Sequence, residues 1–293
     1  MRCALTCCGI AMSRCFPAFA LSLILAGCGG DDNKSAALLL TNAPVASADE
    51  PKQEWGSVKG QVIWGDKNLP EPVKLEVTKD QNVCLKDGPV LSEEFIVDKT
   101  TKGVKNAFVW LAAGTVPKKG EKWAKIPIHP SLAKSAKDTV TLDQPCCSFV
   151  PHVLAMRADQ TLEIKNSASV PHNIHLIGRA DFGLNKIMPP ASTLTETIPA
   201  EADLISVQCD IHGWMKGYIH VFDHPYFAVT GADGKFEIKN APAGDYRIII
   251  WQEGMGWVAF DGPDAAGKNG KKITIKANGE TDLGTFPVSK PKD

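Results

Sequence analysis

"CDIHGWM", residues 209–215, sets a cysteine, a histidine and a methionine three positions apart. Thiolate, imidazole and a weakly donating thioether are the ligand set that suits copper, with two histidines and a cysteine in a trigonal plane and a distant axial methionine. Cys209, His212 and Met215 supply three of these four donors. The flanks say where to look for the second histidine. "ISVQC" enters the loop and "GYIHV" leaves it, both short and rich in β-branched or aromatic residues, so the loop joins two strands. A site that holds its shape needs its remaining donor on a neighbouring strand.

The same reading extends along the chain. Short apolar or alternating runs recur as "SVKGQVIW", "VKLEV", "KNAFVWLA", "HVLAM", "TLEIKN", "NIHLIG", "YFAVT", "KFEIKN", "DYRIIIW" and "KITIKA", each bounded by turn residues. "ADGK" at 232–235 and "APAGD" at 241–245 mark reversals. One piece, "HPSLAKSAKD" at 129–138, has a helix-like pattern. The fold class expected is all-β, built from sandwiches.

Upstream of the loop, residues 148–178 read "SFVPHVLAMRADQTLEIKNSASVPHNIHLIG". With "VPHNIH" and the Cys-to-Met loop about 35 residues later, this stretch resembles plastocyanin, amicyanin and the other cupredoxins. The resemblance runs over residues 142–222 and implies a Greek-key sandwich that holds one type 1 copper ion. It assigns His172 as the first histidine and Cys209, His212 and Met215 as the other ligands. The two-residue gaps within the loop match those of amicyanin. It also gives Asn173 a role beside the ligands, tying the two ligand segments together, and makes His212 the exposed edge through which electrons pass. His175, three residues beyond His172, points to the opposite strand face and reads as a surface residue. His152 reads as a hydrogen-bonding residue, and His220 and His224 flank the exit strand, where they could form a minor metal site with His175 that nothing in the spacing requires.

Residues 56–113 and 225–289, joined in that order, resemble the carboxypeptidase regulatory-like domain, an immunoglobulin- or transthyretin-like sandwich. "GSVKGQVIWGD", "NAFVWL", "ADGKFEI" and "PAGDY" carry that resemblance. The expected organisation is a signal peptide at 1–27, a tether at 28–54, a first half-sandwich at 55–113, a connector at 114–141, the copper domain at 142–223 and a second half-sandwich at 224–293. The copper domain is thus inserted into the outer sandwich, or else the modules follow one another in a row. A disulfide from Cys84 to Cys147 would then tie the outer domain to the copper domain, with adjacent Cys146 competing for the bond.

The first 27 residues carry Arg2 and Arg14, no acid, and the apolar run "FPAFALSLILAG", which reads as a secretory signal. "LAGC" resembles the bacterial lipobox, which implies lipidation of Cys28; cleavage near Ala48 is the alternative. Residue 29 is Gly, so by the same resemblance the outer membrane is favoured over the inner one, on the periplasmic side. Residues 29–54 are small, polar and Pro-rich, a tether. Of nine cysteines, those before residue 28 leave with the signal, and an exported protein lives where disulfides persist. Lys and Arg number 32 against 33 Asp and Glu. Losing Arg2 and Arg14 leaves a net charge of about −3, and no basic patch points to nucleic acid.

The function expected is a lipid-anchored, non-enzymatic type 1 copper protein that passes electrons between exported redox proteins. The alternatives are a copper-handling protein using the same residues, or a structural or carbohydrate-contacting module without metal. No nucleophile motif or zinc-protease helix favours an enzyme.

Overall fold

The structure, a computed structural model, describes residues 52–135, 137–178, 182–200, 204–260 and 267–290. The signal, Cys28 and all but the last residues of the tether lie outside these. In chain order the elements are β1 (Trp55–Trp64), a single helical turn α1 (Gln81–Cys84), β2 (Phe108–Ala113), β3 (Thr139–Asp143), β4 (Val153–Arg157), β5 (Thr161–Asn166), β6 (His172–Ile177), β7 (Gly183–Met188) and β8 (Ser192–Thr197). They continue with β9 (Ile205–Gln208), β10 (Lys216–Phe222), β11 (Phe227–Val229), β12 (Lys235–Pro242), β13 (Gly244–Gln252), β14 (Gly256–Trp257), β15 (Lys271–Ile275) and β16 (Glu280–Val288). The fold is all-β. No helix among the described residues is long and apolar enough to cross a membrane.

The strands form four sheets. One has the order β12-β1-β16, and it faces a sheet ordered β11-β2-β13-β14 with β15 also paired to β13. Between them lies a core of Val58, Val62, Val109, Leu111, Ile248, Ile250 and Phe286, among others. The other two sheets, β3-β5-β8 and β4-β10-β9-β6-β7, enclose a second core that includes Leu142, Met156, Leu162, Ile164, Ile174, Leu176 and Val221. Strands β3 to β10 of the second pair thus fall in sequence between β2 and β11, which are partners in the first.

Side-chain alternation explains how the two pairs meet. Successive residues of a strand point to opposite faces, so β2 sends Val109 and Leu111 into the first core and Phe108, Trp110 and Ala112 outward. In β13, Ile248 and Ile250 point inward while Ile249 and Trp251 point outward. From the other side, Val153 of β4 and Phe222 of β10 meet them in a third apolar layer. The continuous apolar runs "AFVWLA" and "RIIIW" therefore reflect sheets buried on both faces.

Two local expectations fail. "VKLEV" at 73–77 is not a strand; it makes one isolated bridge, Lys74 to Leu91, flanked by a Leu75 N–H bond to the Val90 carbonyl and a Ser92 N–H bond to the Val73 carbonyl. The helix-like piece at 129–138 gives only a 3-10 turn, Pro130–Leu132. Its carbonyls are engaged elsewhere, those of Leu132 and Ala133 by the Arg157 guanidinium and that of Lys137 by Gln160. An α-helix would have to take back those acceptors.

Candidate metal centre

The site stands where β6 begins and where the β9–β10 loop crosses its end. His172 opens β6 and shares a face with Ile174 and Leu176, so strand alternation drives its ring into the second core. Strands β9 and β10 pair with Gln208 opposite Lys216, which leaves Cys209 to Met215 as the connecting loop. The loop is closed by its own backbone: Cys209 N–H donates to the Met215 carbonyl at 3.3 Å, and Met215 N–H to the His212 carbonyl at 2.8 Å. Cys209 and Met215, the two sulfur-bearing residues of the loop, are each 2% exposed.

His172 Nδ1 lies 2.8 Å from His212 Nδ1, and Cys209 Sγ lies 3.9 and 3.8 Å from these two nitrogens. All three residues are buried, and they are the one such group of His, Cys, Asp and Glu side chains among the described residues. The triangle fits an ion: a point in its plane is about 2 Å from each nitrogen and about 2.2 Å from sulfur, close to the bond lengths of a first-row ion to imidazole and thiolate. Burial first, and the charge of His212 second, push the His172 imidazole down to about 4, with Asp80 opposing. The ring is then neutral near pH 7, the form that ligates.

Asn173 joins the start of β6 to the Cys209–Met215 loop. Its carbonyl oxygen accepts from the backbone N–H of Asp210 and of Ile211, at 2.5 and 3.2 Å. Its amide nitrogen donates to Asn185 and Asp210, and its backbone N–H points at Cys209 Sγ at 3.5 Å. His175 bonds Asp210 at 3.0 Å on the outer face. That bond, with one from Asn185, holds the Asp210 carboxyl below its usual range.

One expectation is corrected. His212 is not an exposed edge; it is 0% exposed. Its Nε2 is 2.8 Å from Oδ2 of Asp80, which arrives from the stretch between β1 and β2. The ring of Trp214, which is only partly buried, packs on His212 at 5.1 Å. Trp214 Nε1 donates to the Cys147 carbonyl at 3.2 Å. Cys147 is bonded to Cys84, with Sγ atoms 1.96 Å apart, and Cys146 remains a free thiol. Sequence reasoning missed Asp80, because nothing in "TKDQNVC" distinguishes it from a surface acid.

The remaining histidines stay apart from the centre. His152 pairs with Glu253 at 2.6 Å. His220 packs edge-on to Phe108 and Trp110 and stacks on Phe222 in the third layer. His224 Nδ1 accepts from the Tyr226 N–H. They do not gather with His175 into a second group.

No family model and no curated protein matches the sequence. Among solved structures the chain is similar to an oxidised mutant of amicyanin, 23% identical over 30% of this chain and 87% of the other, with a TM-score of 0.27. A purple cupredoxin from Nitrosopumilus maritimus is 20% identical over 28% of this chain and 97% of its own, with a TM-score of 0.24. The copper-containing nitrite reductase from Thermus scotoductus is 23% identical over 33% of this chain and 27% of its own, with a TM-score of 0.28.

Proposed function

We propose that this protein holds one type 1 copper ion on His172, Cys209 and His212, with Met215 as the axial thioether, and that it carries electrons without catalysing a reaction. The observation that supports this most directly is the convergence of two imidazole nitrogens and one thiol sulfur on a buried point. Copper, when bound, supplies a one-electron couple. The chain supplies the rest. Ligands fixed by β6, by the closed loop and by Asn173 have little freedom to rearrange between oxidation states, and a buried set excludes water from the ion. With His212 covered, Trp214 and Asp80 are partly exposed groups in contact with it, and we place electron exchange at Trp214, the aromatic one of the two.

The partners in this reading are exported redox proteins. The leader and "LAGC" support a lipid anchor at Cys28 on the periplasmic side of a bacterial membrane, the outer one favoured. Copper handling is the second reading. The covered His212 weighs against it, since a donor closed off from solvent releases its ion slowly.

The test is the visible and EPR spectrum of the chain from Glu50, the start of the larger compact unit, loaded with Cu(II), beside Cys209→Ser. An intense visible band with narrow copper hyperfine splitting, lost in the variant, is the outcome expected of a copper–thiolate centre. A colourless protein, or one whose spectrum ignores Cys209, rules the reading out.

A further inference from the structure

We infer that Asp80 is a positioning residue of the metal centre, held on His212 by the Cys84–Cys147 disulfide, and that together they govern how fast the ion leaves. This rests on the copper reading above.

His212 uses one ring nitrogen in the donor triangle and turns the other outward. An imidazole that ligates through Nδ1 carries its proton on Nε2, and a carboxylate accepting that proton fixes both the tautomer and the ring's rotation. Asp80 Oδ2 sits 2.8 Å from His212 Nε2 and meets that requirement. His172 has no such support, since its Nε2 is buried without a hydrogen-bond partner. The two imidazoles are therefore held unequally, and only His212 is fixed from outside its own sandwich strands.

The backbone around Asp80 is organised for this contact. Asp80 precedes α1, where an aspartate ordinarily turns its carboxylate onto the helix's first N–H groups. Here it makes no cap bond with its side chain, and its backbone is left-handed at φ 50 and ψ 36. Its carboxylate faces His212 instead. Four residues later Cys84 enters the core and joins Cys147. Val77, on the other side of Asp80, is buried in the same core as Cys209 and Met215.

These contacts close a ring. It runs from Asp80 to His212, to Trp214 packed on that histidine, to the Cys147 carbonyl bonded by the indole, across the disulfide to Cys84 and back. Apart from Val77 in the second core and Val90 packed against it, residues 73–92 are otherwise tied down by scattered backbone bonds, with no regular strand. Segments so held open locally at low cost, so the covalent link is what keeps Asp80 in register with the loop.

The test uses the purified protein, wild type and Asp80→Asn, with two readouts. The first is the rate at which a chelator in excess removes copper, followed at the thiolate band. Asp80→Asn keeps every ligand and is expected to keep the band while losing copper about 10- to 100-fold faster, the range typical of such outer partners. The second is the nitrogen chemical shifts of His212 in the metal-free protein. The wild type is expected to show one tautomer with the proton on Nε2, and Asp80→Asn a mixture. Replacing Cys84 and Cys147 together by Ala should also speed copper loss, and adding Asp80→Asn to that pair should change the rate little further. Should the double replacement fail to fold, Asp80→Asn alone decides. A normal band in both proteins with loss rates within twofold and the same His212 tautomer overturns the inference. Absence of the band in the wild type sinks the copper reading instead, and the metal-free spectra still report on Asp80.

Discussion

Glu253 Oε2 lies 2.6 Å from Nε2 of His152, although the two residues belong to different sandwiches and are 101 positions apart. Their side chains are only 14% and 9% exposed. The pair stands beside Tyr218, whose phenol is raised to about 12 by burial first and by the charge of Glu253 second. Glu253→Gln is expected to cost about 1–3 kcal/mol, since a buried hydrogen bond to a charged group exceeds a neutral one. Urea denaturation of the single and double variants with His152→Gln measures the coupling. An additive cycle would show that the two side chains act independently.

Asn173 is expected to matter to metal-free and metal-loaded protein alike. Asn173→Ala removes the acceptor that holds the Asp210 and Ile211 N–H groups against β6. The unloaded protein should lose about 1 kcal/mol, the net worth of ordinary hydrogen bonds, since both donors keep some access to water. Copper affinity should fall about 10- to 100-fold. Asn173→Ser keeps a hydroxyl acceptor and should fall between. Equal affinity in all three proteins would remove Asn173 from the site.

Trp214 reports on the centre by fluorescence. The chain has seven tryptophans, and Trp214 packs on a candidate ligand at 5.1 Å. Adding Cu(II) should quench part of the emission, and Trp214→Phe should remove most of that copper-dependent change while leaving the thiolate band. Unchanged quenching in the variant would mean that the ion sits elsewhere.

His224 sets part of the acid limit of stability. Burial lowers its imidazole to about 4 from an ordinary 6.5, with Arg157 adding to the shift and Asp223 and a bond to Leu111 opposing it. The unfolded chain therefore binds this proton from pH 6.5 downward while the folded one refuses it until about pH 4. The contribution is fully present above 6.5 and is lost as pH falls to 4, at most about 3 kcal/mol. His224→Gln should flatten the dependence of unfolding free energy on pH in that window by about one proton. His172 titrates across the same range in metal-free protein, and it contributes to the slope left in the variant together with carboxyls held below their usual range, such as Asp159 and Asp210. An unchanged slope would refute the assignment to His224.

Much of the centre was legible because its donors obey short-range rules. The loop residues are spaced within seven positions, and His172 and Asn173 are adjacent on one strand, so alternation alone separates inward from outward groups. The strands that were easy to see, such as β2 and β13, are those with dense β-branched or aromatic runs. Strands β3, β7, β8 and β16, with "TVTLD", "GLNKIM", "STLTET" and "ETDLGTFPV", are polar on one face and were not distinguished from loop. Asp80 and Glu253 were not legible at all. Each meets its histidine more than 100 positions away, and no local pattern encodes such an encounter.

The place of β1 at the middle of its sheet constrains the order of assembly. Both of its partners come late, β12 beginning at Lys235 and β16 ending at Val288. Strands β3 to β10 can pair among themselves as soon as Phe222 has emerged, whereas β1, bridged early only at Val62 to Trp64 by residues 102–104, must wait for nearly the whole chain to fill the rest of its edges. Pairing at such separations is slow and leaves exposed edges for that interval. While the chain is being made, then, the segment that bears the candidate metal ligands can be complete while β1 is still largely unpartnered, and that strand is where a chaperone has most to protect.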